Sequence, residues 1–288
     1  RRHRGSPANT DNLVVVNRND RFVGLLPIGT VLVSDPAVSV REMMITDQEA
    51  INAETSATEV ARRFERNDWI SAPVVDSAGK LLGRITIDDV VDVIREEADH
   101  SLTSLAGLAE EDTFAPVWQS APRRAIWLGI NLMTALLASS VINVFQDTIE
   151  KVVALAVLMP IVASMGGIAG TQSLTILIRA MAMGQINGRN QFWLVGRESL
   201  VGLLNGLLWA GVIAITASLW FGDATLGVII ACAMLINLAT AGFAGAGLPL
   251  LLRRLQIDPA LAGGVLVTTV TDVMGFLAFL GLAALFYG

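Results

Sequence analysis

Residues 258 to 288, DPALAGGVLVTTVTDVMGFLAFLGLAALFYG, are apolar enough to cross a bilayer, yet a carboxylate, Asp272, stands near their middle. A span in lipid must satisfy its own backbone hydrogen bonds, so a run of this kind can only be a helix. An ionised side chain at that depth costs roughly 2.5 to 3.5 kcal/mol on insertion scales, and such residues face a partner, a water-filled path or an ion. Thr268, Asp272 and Gly275 stand at i, i+4 and i+7, which places them on one helical face. With Thr269 beside them, they are candidates for the lining of a polar pathway. The competing reading is that Asp272 is protonated or hydrogen-bonded to a neighbouring span. Gly263, Gly264 and Gly275 let adjacent backbones approach closely, which is how helices pack in lipid.

Four further apolar, charge-free runs, 125 to 146, 152 to 178, 199 to 222 and 224 to 252, are each long enough to cross a hydrocarbon core about 30 Å thick. With the Asp272 segment this predicts five spans. Basic residues are distributed unevenly about them. Arg123, Arg124, Arg179, Arg189, Arg197, Arg253 and Arg254 fall on the side of the N-terminal part, and only Lys151 falls on the other. The positive-inside rule then places the N-terminus in the cytoplasm and the C-terminus outside. In the second run, PIVASMGGIAGTQS (160 to 173) carries Pro160 and glycines at 166, 167 and 170. These are expected to loosen the helix and free carbonyls beside Thr171, Gln172 and Ser173, which membrane proteins tolerate where backbone lines a cavity. Gly167, Gly170 and Gln172 therefore join the candidate pathway, as does Asn205 of the third run. Glycines serving tight packing alone are the alternative. Glu198, next to Arg197, reads as an interfacial ion pair.

The rest of the chain is of a different kind. Residues 1 to 112 hold 20 of the 26 acidic and 12 of the 20 basic residues, so a charged soluble part precedes an apolar one. The chain's mean hydropathy of +0.59 averages the two. Cys232 stands alone, so no intrachain disulfide forms. The N-terminal RRHRGSPANT, a flexible tail over 1 to 10, lacks the apolar core of a signal peptide. LVVV (13 to 16) and RFVGLLP (21 to 27) predict two strands, closed by PIGTVLVSD. The theme returns as a helix over 57 to 68 capped by Thr55 or Ser56, strands over 69 to 76 and 81 to 86 about the turn SAGK, and a helix over 87 to 99. Between 88 and 112 nine acids face one base, Arg95, and Asp88, Asp92, Glu96 and Asp99 share a helical face. Like charges at that spacing repel. The face is either simply solvated or it bridges hard cations such as Mg2+, which take oxygen ligands and keep several waters.

APVVD-SAGK-LLGRITIDDVVDVI resembles a CBS module, an α/β regulatory domain that occurs in pairs and often binds metal ions or adenosine nucleotides such as ATP. GRITIDD (83 to 89) is similar to the ribose-contacting pattern, which assigns Thr86 and Asp89 to that role. In the first copy Pro27 and Gly29 stand at those places. The expected division is a partial first module over 11 to 40, a second over 41 to 99, an acidic connecting helix over 88 to 120 and a five-helix transmembrane domain over 121 to 288.

GGIAGTQS, DPALAGG with TTVTD, five spans and preceding CBS modules together resemble the MgtE family of magnesium channels and transporters. That resemblance implies a multi-domain membrane protein, with cytosolic α/β modules followed by an all-α bundle of five helices, in a bacterial inner membrane. It implies a homodimer with a pore on its two-fold axis, Asp272 binding hydrated Mg2+ there, and closure when cytoplasmic Mg2+ bridges Asp89, Asp92 and Glu97, with Asp68 a further ligand. Its expected partners are Mg2+, membrane lipid and a second copy, and no nucleic acid. Where the family has asparagine in GGNAG this chain has Ile168, one polar ligand fewer. The family's acidic helical N-terminal domain is expected to be absent. Other readings are a carrier for another divalent cation such as Co2+, a proton-coupled carrier in which Asp272 titrates, and a membrane-tethered sensor that does not transport. An enzyme is not expected: there is no HExxH, CxxC or phosphate-binding Gly-rich loop, and the only histidines are His3 and His100.

Overall fold

A computed structural model describes residues 10–105 and 115–288, with the side chains of 97–102, 104 and 105 excepted. The expected N-terminal tail and the acids Glu97, Asp99, Glu110, Glu111 and Asp112 therefore lie outside the described positions or side chains. The chain forms two compact units, Arg1–Asp99 and His100–Gly288.

The first unit is α/β. Strands β1 (Asn12–Val16) and β2 (Phe22–Pro27) pair antiparallel, and helix α1 (Ile28–Val33) comes directly after them. Helix α2 (Val40–Met43) leads to β3 (Ile51–Asn52) and helix α3 (Ala57–Asn67). Strands β4 (Ser71–Val75) and β5 (Leu81–Thr86) then pair antiparallel, and α4 (Ile87–Leu105) runs on. The order in the second sheet is β3-β4-β5, with β3 parallel to β4.

The internal repeat is regular. Asn12 and Ser71, Phe22 and Leu81, and Ile28 and Ile87 open equivalent elements, each pair 59 residues apart. Both hairpins carry a register shift at the equivalent step, Val15/Val16 and Val74/Val75. Their turns adopt positive φ at Asp20 and Gly79 and pair with each other, through Phe22 N–H to Gly79 O and Leu81 N–H to Asp20 O. Ser56 supplies the N-cap of α3, accepting from the Glu59 N–H, and Asp68 ends it in the left-handed conformation. The apolar face of α3 buries Val60, Ala61 and Phe64 against Ile51, Ala72 and Val90.

Among the described residues the second unit's elements are helices: α5 (Val117–Val144), the short α6 (Gln146–Lys151), α7 (Ala154–Ala182), α8 (Gln191–Phe221), α9 (Ala224–Arg254) and α10 (Pro259–Tyr287). Five of these are long and apolar enough to cross a membrane, among the described residues. Helices α5, α7, α8 and α9 extend past their apolar runs, so that Arg123, Arg124, Arg179, Arg197, Arg253 and Arg254 sit on helical ends. Helix α9 is the centre of the bundle, packed along α8, α7 and α10; α10 also packs against α7 and α5.

Small residues make these crossings possible. A methyl group on Gly202 would lie 2.4 Å from the Leu238 carbonyl oxygen, and one on Gly242 2.4 Å from that of Glu198, so α8 and α9 meet backbone to backbone. The end of α10 is tied down by the Tyr287 hydroxyl, which donates to Asp223, the N-cap of α9.

Candidate ion pathway

Helix α7 is unbroken over Ala154–Ala182, with Pro160 inside it. The expected loosening of this helix does not occur. Proline removes one donor near the helix start, and neighbouring helices clamp the turns beyond it. The clamp is Asn237 of α9, fully buried, whose Nδ2 donates to the Val162 carbonyl at 2.8 Å. A methyl group on Gly166 would lie 2.3 Å from that amide nitrogen and one on Gly275 2.7 Å from it. Glycine on α7 and glycine on α10 thus form a notch that one asparagine fills, joining three helices. Asn237 Oδ1 is buried, with no hydrogen-bond partner among the described residues.

On the other face of α7 lies an open depression of about 520 Å3 between α7 and α10. Helix α7 contributes Ser164, Gly167, Ile168, Thr171 and Gln172; α10 contributes Thr268 and Asp272. The spacing accounts for this, since Ser164, Gly167, Ile168, Thr171 and Gln172 recur at three- and four-residue steps. Asp272 is half-buried, and no hydrogen bond or ion pair to its carboxylate is found among the described residues. No basic residue lines the depression. The Thr171 hydroxyl donates to Gly167 O at 2.8 Å, which turns its lone pairs outward as acceptors. A carboxylate that shares a depression with the oxygens of Ser164, Thr171, Gln172 and Thr268 and with no basic side chain is chemistry for a positive ion.

Of the sequence candidates, Asp272, Thr268, Gly167 and Gln172 come together here. Thr269 does not line the depression; its hydroxyl donates to Val265 O on its own helix at 2.7 Å. Gly170 is buried, with its would-be methyl 2.4 Å from Val267 and its carbonyl against Gly245, so it serves packing. Asn205 is exposed on α8, which packs chiefly on α9, and it belongs to neither wall. Ser164 was missed by the sequence reading, although it lies three residues before Gly167 and four before Ile168. Glu198 is more than an interfacial ion pair. It is 2% exposed, accepts from the Ser173 hydroxyl of α7 at 3.0 Å and pairs with Arg197 at 2.6 Å.

In the first unit, Asp89 accepts from both the N–H and the hydroxyl of Thr86, at 3.2 and 3.1 Å, so the two residues engage each other at the start of α4. Asp88, Asp89, Asp92 and Glu96 are exposed along α4, and Asp68 is exposed at the end of α3. Among the described residues no group of three or more acids, histidines or cysteines is close enough to hold a metal.

Residues 159–282 match the family model MgtE, described as a divalent cation transporter, and both walls of the depression lie inside that segment. Over that segment the chain is similar to the MgtE family. Residues 40–96 match the CBS domain. The chain is 34% identical over 275 residues to the magnesium transporter MgtE of Bacillus subtilis (strain 168), covering 95% of this chain and 61% of that protein. It is likewise 34% identical over 279 residues to the magnesium transporter MgtE of Thermus thermophilus, with the same shares covered. The chain thus spans about three fifths of the length of these MgtE relatives. A crystal structure of the cytosolic domain of the Mg2+ channel MgtE in complex with ATP is similar over 29% of this chain and 34% of that one, at 36% identity and a TM-score of 0.28.

Proposed function

We propose that this protein moves Mg2+ across a membrane along the α7/α10 depression, with Asp272 the group that contacts the ion. The observation that carries this reading is the half-buried, uncompensated Asp272 carboxylate on a wall built within the MgtE segment. The depression is open on one side, and a second copy placed against it completes a path with two such carboxylates. In a medium of low dielectric, two fixed negative charges attract a divalent ion about twice as strongly as a monovalent one. Mg2+ sheds water reluctantly. Acceptors such as Thr171, Thr268 and Gln172 around a wide path suit the hydrated ion better than a narrow cage would.

Regulation belongs to the same proposal. Mg2+ on the soluble side bridges Asp89, Asp92 and Glu97, with Asp68, and closes the path; the N-terminus is cytoplasmic and the C-terminus outside. Exposed, separated carboxylates suit an ion held partly through its own waters. An adenosine nucleotide, ATP for instance, would engage Thr86 and Asp89 and compete with their mutual hydrogen bonds.

Flux into proteoliposomes tests this. Asp272→Asn removes the charge and keeps the shape, and Mg2+ flux should fall by at least about tenfold, ~1.4 kcal/mol of ion stabilisation. Wild-type flux should also drop when Mg2+ is raised on the soluble-unit side. Flux that survives Asp272→Asn removes the pathway from consideration. A second reading rests on Ile168, which is 56% exposed in the depression and offers no ligand atom. A path that passes Co2+ as readily as Mg2+ would favour a broader divalent carrier.

A further inference from the structure

We propose a phospholipid headgroup site at the edge of the membrane unit where α7 ends, α8 begins and α9 ends. A concave pocket of about 330 Å3 lies there, lined by Asn187, Gly188 and Gln191 from the α7–α8 turn and α8, and by Leu250, Arg253 and Arg254 from α9. Two guanidinium groups and no carboxylate line it. Arg197, on the same edge, is neutralised by Glu198 at 2.6 Å, whereas no ion pair of Arg253 or Arg254 is found among the described residues.

The turn is held in shape. Asn187 Oδ1 accepts from the N–H groups of Arg189 and Asn190, Asn190 Oδ1 accepts from Asn187 N–H at 2.8 Å, and Asn190 Nδ2 donates to Gln185 O at 2.7 Å. Gly188 is exposed, and a side chain there would meet nothing within 4 Å, so a headgroup can approach the backbone directly.

The ligand class is set by charge and position. Guanidinium forks match the oxygens of a phosphate, and paired arginines between helix ends at a membrane edge are the chemistry that retains anionic headgroups. This edge carries seven of the eight basic residues of the membrane part, so it faces the leaflet interface. Beside the pocket, Phe192 and Trp193 are 70% and 66% exposed in the first turn of α8, the place of an interfacial aromatic belt, and exposed Leu251 and Leu255 offer acyl chains a track. A free phosphate would use the guanidinium groups and leave those apolar surfaces unused, so the site is assigned to the phosphodiester of an anionic phospholipid.

The test is native mass spectrometry of the full chain released from detergent with phosphatidylglycerol or phosphatidylcholine. The wild type should retain phosphatidylglycerol preferentially, and the Arg253→Gln/Arg254→Gln double variant at least about tenfold less, ~1.4 kcal/mol. Gly188→Asp brings a carboxylate into open space without a clash; it should lose the lipid equally while keeping the wild-type melting temperature in lipid-free detergent. Equal retention by wild type and both variants, or no preference over phosphatidylcholine, overturns the site. Thermal stabilisation by inorganic phosphate alone, removed by Gly188→Asp and unaccompanied by lipid retention, would reassign the pocket to a free phosphate and overturn the lipid.

Discussion

Gly166 and Gly170 on α7 face the bundle, where an added methyl group would come within 2.3 Å of the Asn237 amide and 2.4 Å of Val267, whereas Gly167, between them, would meet nothing within 4 Å. One short glycine-rich motif thus serves two faces of one helix. Its inner glycines exist to let Asn237 and α10 approach. Gly167 stands on the wall of the depression, where a side chain would narrow the space that Asp272 flanks. The difference teaches that glycine in a membrane helix is not one signal: the same residue type, one position apart, is a packing contact or the open wall of a depression.

The contrast breaks most sharply by substitution on the inner face. Gly166→Ala and Gly170→Ala should each lower stability by about 1 to 3 kcal/mol, the usual cost of overpacking, measured as thermal unfolding in detergent. Equal melting temperatures for these variants and the wild type would show that the notch is not closed. Because the Gly166 clash is with Asn237, the Gly166→Ala/Asn237→Ala pair should be less destabilised than the sum of its single changes, by about 0.5 kcal/mol or more of coupling. Additive losses would mean that the two residues do not meet.

Smaller effects sharpen the comparison. Asp223 and Tyr287 hold the far end of α10 and hence one wall of the depression. Asp223→Ala removes an N-cap and should cost about 1 kcal/mol. The Tyr287 hydroxyl, with the capping N–H groups of α9, holds the Asp223 carboxyl below its ordinary range. A carboxyl depressed on folding stabilises the fold fully above its unfolded value near 3.8 and loses that contribution as pH falls through the lower folded value. Acid unfolding of Asp223→Asn should accordingly show a shallower loss below pH ~4 than the wild type. The smallest stability change is expected of Gly167→Ala. It should leave the melting temperature unchanged or raise it slightly, by at most about 1 kcal/mol from helix propensity, while reducing ion flux. A destabilised Gly167→Ala would place that residue in the packing after all.

The α/β unit is readable because its signals are local. Short β-branched runs bounded by turns marked the strands over 13–16 and 69–76, Thr55 or Ser56 marked the start of α3, where Ser56 proves to be the cap, and the 59-residue offset between equivalent elements reproduces the repeat seen in the sequence. The candidate site was readable only in part. The i, i+4 step from Thr268 to Asp272 was enough to put both on one wall, and Gly167 and Gln172 joined them. Thr269, Gly170 and Asn205 do not line the depression, and Ser164, which no motif marked, does. Helices α7 to α10 are apolar nearly all round, so no polar face indicates which side meets lipid, which meets protein and which lines a path. Asn237 illustrates the same point. No residue near it in sequence marks its role; Gly166 and Gly275 of the neighbouring helices make it the peg of a three-helix joint.

By itself the sequence determined the five apolar spans, the two hairpins of the α/β part, the division into a charged α/β part and an apolar helical part, and the presence of one carboxylate deep in the last span. Each of these depends on composition and on spacing within a few turns; the short α2, β3 and α6 carry too few residues to show a period. The tertiary structure alone decided which faces meet, because in lipid the helices associate through small residues and single hydrogen bonds, without a hydrophobic drive to reveal the buried side. Whether a glycine is a notch or a wall is therefore settled by the helix that lies opposite it.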